Sequence, residues 1–149
     1  MSTILEPQLL TGGLAVDDRG NVGFVNDFDL RNVRRFYTVS NHQPGFVRAW
    51  HAHKHEAKYV TVIVGAAIVA AVAIDDWTTP TKSAKVHRFV LSEYQPAVLF
   101  IPPGYANGFK TLRAETRLIF FSTASLDESR TDDYRFEADY WDPWTVEER

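Results

Sequence analysis

The chain has 149 residues, of which 45% are hydrophobic, 13% aromatic and 23% charged; that balance excludes a disordered chain, and the length supports one ordinary core without a stapling metal. Cysteine is absent, which excludes a disulfide framework, thiolate metal sites and thiol catalysis. The net charge is −3 and the 16 basic residues are scattered, so neither nucleic acid nor a membrane surface is expected as a partner.

The opening MSTILEPQLL lacks the charged start, apolar run and small-residue cleavage site of a secretory signal, and a cytoplasmic protein is expected. Runs rich in Val, Ile, Phe and Tyr then follow near 22–26, 33–39, 46–51, 58–64, 67–74, 84–91, 97–101, 106–111 and 115–122. Turn-forming residues separate them at Asp17–Gly20, Asn41–Gly45, Asp75–Lys82, Ser92–Pro96 and Pro102–Gly104. Tyr59 to Ile74 is uncharged for sixteen residues, short of the ~18 or more that suggest a membrane helix. Its Val and Ile content and the central Gly65 suit two buried strands joined by a turn, with a core helix as the alternative. About nine short strands with no helical period between them predict an all-β sandwich or barrel. Residues 1–149 read as one domain, and the acidic segment 127–149, with Tyr134, Phe136, Tyr140, Trp141 and Trp144, is expected to pack back over the barrel and across its mouth.

Chemistry concentrates in Arg48-Ala49-Trp50-His51-Ala52-His53-Lys54-His55-Glu56-Ala57-Lys58. On a strand, alternate residues share a face, so His51 and His53 project together, and Lys58 opens the next strand. A histidine base and a lysine that stabilises negative charge, in a partly enclosed basic pocket, is the functional reading; solvated histidines at a strand end are the bland one. Gly45, His51, His53 and Glu56 also resemble the first metal-binding cupin motif. In the second, Pro102-Pro103-Gly104-Tyr105-Ala106-Asn107, asparagine stands where a histidine ligand belongs, so a catalytic metal is not expected.

Asp18-Arg19-Gly20, Asn41-His42, Arg48-Ala49-Trp50-His51, Lys58-Tyr59-Val60 leading to Val64-Gly65, Leu91-Ser92-Glu93 and Ile101-Pro102-Pro103-Gly104-Tyr105-Ala106-Asn107-Gly108-Phe109 follow one another in a characteristic order. From about Asp17 to Phe121 the sequence thereby resembles the dTDP-4-dehydrorhamnose 3,5-epimerase superfamily, metal-free cupin-like jelly rolls acting on nucleotide-linked 4-keto sugars. The resemblance implies an all-β, cupin-like jelly-roll barrel of about nine to eleven antiparallel strands, a homodimer, and no cofactor. It implies His51 as the base, Lys58 as the enolate-stabilising cation, and Arg19 and Arg48 on the diphosphate. Asn107 and His53 would contact the substrate, and Phe24 would stack on the nucleobase, with plain core packing as its alternative. A carboxylate should orient His51, with Asp142 preferred over Asp139 and Glu147.

Phe120 falls where these epimerases place a catalytic tyrosine on the opposite face of the sugar. A benzene ring donates no proton, so Tyr37, Tyr105 or a water must replace it, or only one carbon is epimerised. His51-Ala52-His53-Lys54 resembles a second branch, the nucleotide-sugar 3,4-ketoisomerases, while the Pro-Gly-Tyr-Ala-Asn-Gly-Phe run favours the epimerases. The expected activity is epimerisation at C3, with C5 as a second centre, of a nucleoside-diphosphate 4-keto-6-deoxy sugar. Ketone transposition, a metal-dependent cupin enzyme using His51, His53 and Glu56, and a non-catalytic sugar-binding module are the alternatives.

Overall fold

The uncharged run of the sequence shows why the chain folds as it does. In the computed structural model, which describes residues 5–149, it forms two strands, β6 (Lys58–Val64) and β7 (Ala66–Ala73), one in each of two sheets, and the helix alternative falls. Gly65 turns between them at φ 83°, where a side chain would also strike the Glu115 carbonyl. β7 is buried on both faces. Ala67, Val69 and Ala71 face the core between the sheets, while Ile68, Ala70 and Val72 face a second core outside, so no alternation survives in its sequence.

The remaining strands are β1 (Gln8–Thr11), β2 (Gly13–Asp17), β3 (Gly20–Phe24), β4 (Arg35–Ser40), β5 (Val47–His53), β8 (Val86–Ser92), β9 (Ala97–Ile101), β10 (Tyr105–Thr111), β11 (Arg117–Ser122) and β12 (Tyr134–Arg135). One five-stranded sheet runs β1-β9-β6-β11-β4, and the facing one runs β12-β5-β10-β7-β8. β2 and β3 form a separate hairpin. Val60, Val62, Leu91, Leu99, Ile101, Phe109, Leu118 and Phe120 fill the space between the sheets. The expected all-β, jelly-roll-like fold is present with two corrections: the described residues form twelve strands, and the sheets stay separate rather than closing into a barrel. β1, β2 and β12 were not expected. Two of these are short strands at the edge of a sheet, and β2 is half of the exposed hairpin.

The segment after β11 divides its work. A short helix, α1 (Leu126–Arg130), opens with a capping box between Ser125 and Glu128. With β12 it stands at the rim between the sheets, whereas the aromatics run on to cover the outer face of β5 and β7. There Trp141 and Trp144 pack on Trp50 at 5.3 and 5.2 Å between ring centroids. All three indole N–H groups donate to backbone carbonyls, at Ala138, Trp141 and Thr81, which satisfies the polar end of each buried ring. No helix among the described residues is long and apolar enough to cross a membrane.

Candidate active site

A cavity of ≈ 320 Å³ opens at one end of the space between the sheets, within the range that holds small ligands. β5 and β10 supply Arg48, His51, His53, Asn107 and Phe109 from one sheet. Across from them, β4, β6 and β11 supply Tyr37, Val39, Lys58 and Phe120. Leu126, Ser129, Arg130, Asp133 and Arg135 of the C-terminal segment complete the rim.

Alternation along β5 sends Trp50 and Ala52 to the outer core and His51 and His53 into the cavity. By the same rule Arg48 would point outward. A β-bulge prevents this: His51 pairs with Asn107 and Arg48 with Phe109, so three steps along β5 match two along β10. Gly108 makes the bulge fit, because a Cβ there would lie 2.4 Å from Ala49 Cβ. Gly108→Ala is therefore expected to push β5 away from β10 and cost ~1–3 kcal/mol, as overpacking does; urea unfolding measures it, and an unchanged midpoint contradicts the account.

Arg48 is held at the rim by Asn41, whose Oδ1 accepts from Arg48 Nε at 2.6 Å. Asn41 in turn donates to Thr111 Oγ1, which gives the Asn41-His42 motif a structural purpose. Asn107 is buried and donates from Nδ2 to the His51 carbonyl at 3.2 Å, fixing the strand that carries the histidines.

The two histidines differ. His53 is almost fully buried, and its Nδ1 lies 2.5 Å from the Asp132 carbonyl oxygen. That contact makes Nδ1 the donor and leaves Nε2 a bare acceptor, buried without a partner. Burial alone would push the Asp132 carboxyl up, yet backbone N–H donors of His55, Lys54 and Glu56 hold it below its ordinary value. Desolvation, then the Lys58 charge, lowers the pKa of His53 against the pull of the Asp132 hydrogen bond. His53 is thus neutral near pH 7, and its 3.8 Å approach to Glu56 is no ion pair. His51 is half-buried, and its ring makes no hydrogen bond among the described residues. Its pKa is lowered by desolvation first and then by Arg135 and Lys58, with Asp133 and its negative charge opposing them.

Lys58 is nearly buried, and its Nζ donates to the Tyr37 hydroxyl at 2.8 Å. Glu56, 3.8 Å from Lys58 Nζ and 3.7 Å from Arg35, accepts from Ser122 Oγ and Ser129 Oγ. Its carboxylate is thereby committed to hydroxyl donors and cations, away from a shared site with the histidines. Among the described residues no group of three His, Asp or Glu side chains is placed to hold a metal ion.

Of the residues singled out in the sequence, Arg48, His51, His53, Lys58 and Asn107 meet in this cavity. Three do not. Arg19 sits on the β2–β3 hairpin, 86% exposed and paired with Asp17 at 2.6 Å, and Phe24 lies on the same hairpin over Gly13. Asp142 is exposed, and its carboxylate accepts from the Trp144 N–H. It does not reach His51, because the chain carries the aromatics to the outer face of the sheet before arriving at it; Asp139 and Glu147 are likewise outside the cavity. The acid whose field reaches His51 is Asp133, ion-paired with Arg135, which itself pairs in register with His51. Sequence reasoning missed Asp133, Arg130 and Arg135. The available signal was that Arg130 and Arg135 are the only basic residues between Arg117 and Arg149, inside an otherwise acidic segment.

Residues 22–141 match the family described as dTDP-4-dehydrorhamnose 3,5-epimerase. No curated protein matches by sequence. Among solved structures, a dTDP-4-dehydrorhamnose 3,5-epimerase from Sulfolobus tokodaii is 25% identical, with a TM-score of 0.74 over 94% of this chain and 81% of its own. A 3′-monoepimerase from Streptomyces bikiniensis in complex with dTDP-quinovose is 15% identical, with a TM-score of 0.75 over 93% and 74%. A 3,4-ketoisomerase from Helicobacter canadensis is 16% identical, with a TM-score of 0.67 over 92% and 96%. The fold, the order of the motifs and a family match covering most of the sequence agree: the chain belongs to the dTDP-4-dehydrorhamnose 3,5-epimerase family, a family of isomerases.

Proposed function

We propose that the chain epimerises a nucleoside-diphosphate 4-keto-6-deoxy sugar at C3, with C5 as the second centre open to the same chemistry. The observation that carries this reading is the opposition of neutral imidazoles on one sheet to a nearly buried ammonium on the other. His51 removes the C3 proton, which the C4 ketone acidifies, and Lys58 faces the oxyanion of the enolate. The apolar side chains that fill the rest of the space between the sheets form low-dielectric walls, which strengthen that attraction relative to bulk solvent. Arg48 receives the diphosphate, for which a guanidinium fork is suited. Asn107 stays within reach of the sugar through its free Oδ1. Relatives solved with TDP or a dTDP-sugar bound support thymine as the base.

Arg19 and Phe24, exposed on their hairpin and outside this cavity, fit a homodimer in which the hairpin reaches the partner's site. Function in the cytoplasm, without nucleic acid or membrane as partner, completes the reading.

Incubation with a dTDP-linked 4-keto-6-deoxyhexose in deuterated water, followed by NMR, tests it. Deuterium at C3 of an inverted product is expected, and deuterium at C5 as well defines a double epimerase. A substrate that keeps every carbon-bound proton refutes the catalytic reading and leaves a binding module. A second reading, ketone transposition to C3, is favoured by one observation: the bare, buried Nε2 of His53 gives the cavity a second positioned base. A C3 ketone in the product decides for it.

A further inference from the structure

We infer that Tyr37 is the acid that protonates C3 from the face opposite His51, taking the place of the hydroxyl missing at Phe120. This rests on the epimerase reading above. Inversion needs a proton donor on the far side of the sugar ring, and the cavity wall opposite the histidines holds one phenolic hydroxyl, that of Tyr37. Tyr105, the other phenol considered, donates to the Leu5 carbonyl at 3.0 Å and does not line the cavity.

The placement of Tyr37 follows from strand pairing. It lies directly opposite Phe120 in the β4–β11 ladder, and the two rings stack with centroids 5.2 Å apart and planes 5° from parallel. The phenol therefore stands one ring away from the position where a tyrosine at 120 would stand, locked by its neighbour. Its oxygen accepts from Lys58 Nζ at 2.8 Å and makes no other hydrogen bond among the described residues. The lysine occupies an acceptor site on that oxygen, so the hydroxyl proton is left uncommitted.

The step balances without another reactant. His51 takes the C3 proton, and the C–H electron pair becomes the enolate with its charge on the C4 oxygen. Tyr37 then gives its proton to C3 from the other face, a new C3–H bond forms, and the electrons return to the C4 carbonyl. The enzyme is left with an imidazolium and a phenolate beside the Lys58 ammonium; transfer of one proton from His51 to Tyr37 through solvent restores it. Lys58 serves both halves, facing the enolate first and the phenolate after.

Tyr37→Phe keeps the stacked ring and removes only the proton. In deuterated water with the same 4-keto sugar, the variant is expected to wash deuterium into C3 of the unreacted substrate at close to the wild-type rate. The inverted product should fall by at least ~10²-fold, as for loss of a positioned acid. Inverted product at the wild-type rate overturns the inference, and so does loss of the C3 exchange itself, since Tyr37 would then act in the first step. The wild type supplies an independent arm. At low conversion its inverted product should carry deuterium at C3 in full, because the donor is a solvent-exchanged hydroxyl distinct from the base; protium carried over into inverted product overturns a second-face acid altogether. Wild-type protein that leaves the C3 proton untouched is a different outcome, which fails the epimerase reading before any variant is compared.

Discussion

His51→Asn is expected to lower the rate of C3 proton exchange by ~10²–10⁴, the contribution of a positioned general base, while thermal unfolding stays close to wild type. The ring is half-buried and makes no hydrogen bond among the described residues, so its loss orphans no polar group, and asparagine has no basic nitrogen. The charge state works in the same direction. A base is competent only when neutral, and burial, Arg135 and Lys58 together hold the pKa of His51 below its ordinary value of 6.5. The acid limb of the kcat/KM profile should therefore fall below pH 6.5, activity being lost as pH drops through the lowered value. Asp142→Asn provides the contrast, because its carboxylate touches only the backbone of Trp144; exchange should proceed at the wild-type rate. A folded His51→Asn protein with undiminished exchange would move the base to His53, whose Nε2 is the other bare nitrogen in the cavity.

What could be read from the residues depended on whether local pattern decided the outcome. β6, β9 and β10 were legible within a residue because each is a short apolar run bounded by turn-forming residues. The uncharged stretch was legible as strands because Val and Ile resist helix and Gly65 marks the turn, although the reason for its lack of charge, burial of β7 on both faces, needed the fold. The cavity pair His51 and Lys58 was legible through spacing and motif order. Arg48 was placed by motif, although simple alternation would have pointed it outward; the bulge opposite Gly108 overrides alternation, and nothing in the one-dimensional pattern announces it. Asp142 was misplaced because proximity along the chain says little about a segment that first lays Trp141 on Trp50, on the outer face of the sheet. Asp133, Arg130 and Arg135 went unread for the same reason: their relation to His51 exists only through the two-residue ladder of β12 on β5.

The second large effect is expected at Lys58. Lys58→Met preserves the length and apolar character of the stem and removes the ammonium that faces the developing enolate, so exchange at C3 should slow by ~10²–10³, as when one oxyanion donor is lost. Glu56 loses a cation 3.8 Å away, yet it keeps the hydroxyls of Ser122 and Ser129 and the neighbouring Arg35. Its burial therefore does not leave it bare, and the fold should persist. The titration of the histidines supplies a second readout. Here the positive charge of Lys58 depresses the pKa of both His51 and His53, so its removal must let both rise towards 6.5. The acid limb of the residual activity should accordingly move to higher pH, and NMR titration of the two imidazoles should show the same upward displacement. A slower enzyme with an unmoved acid limb and unmoved imidazole titrations would separate Lys58 from the histidines and dissolve the electrostatic pairing across the cavity.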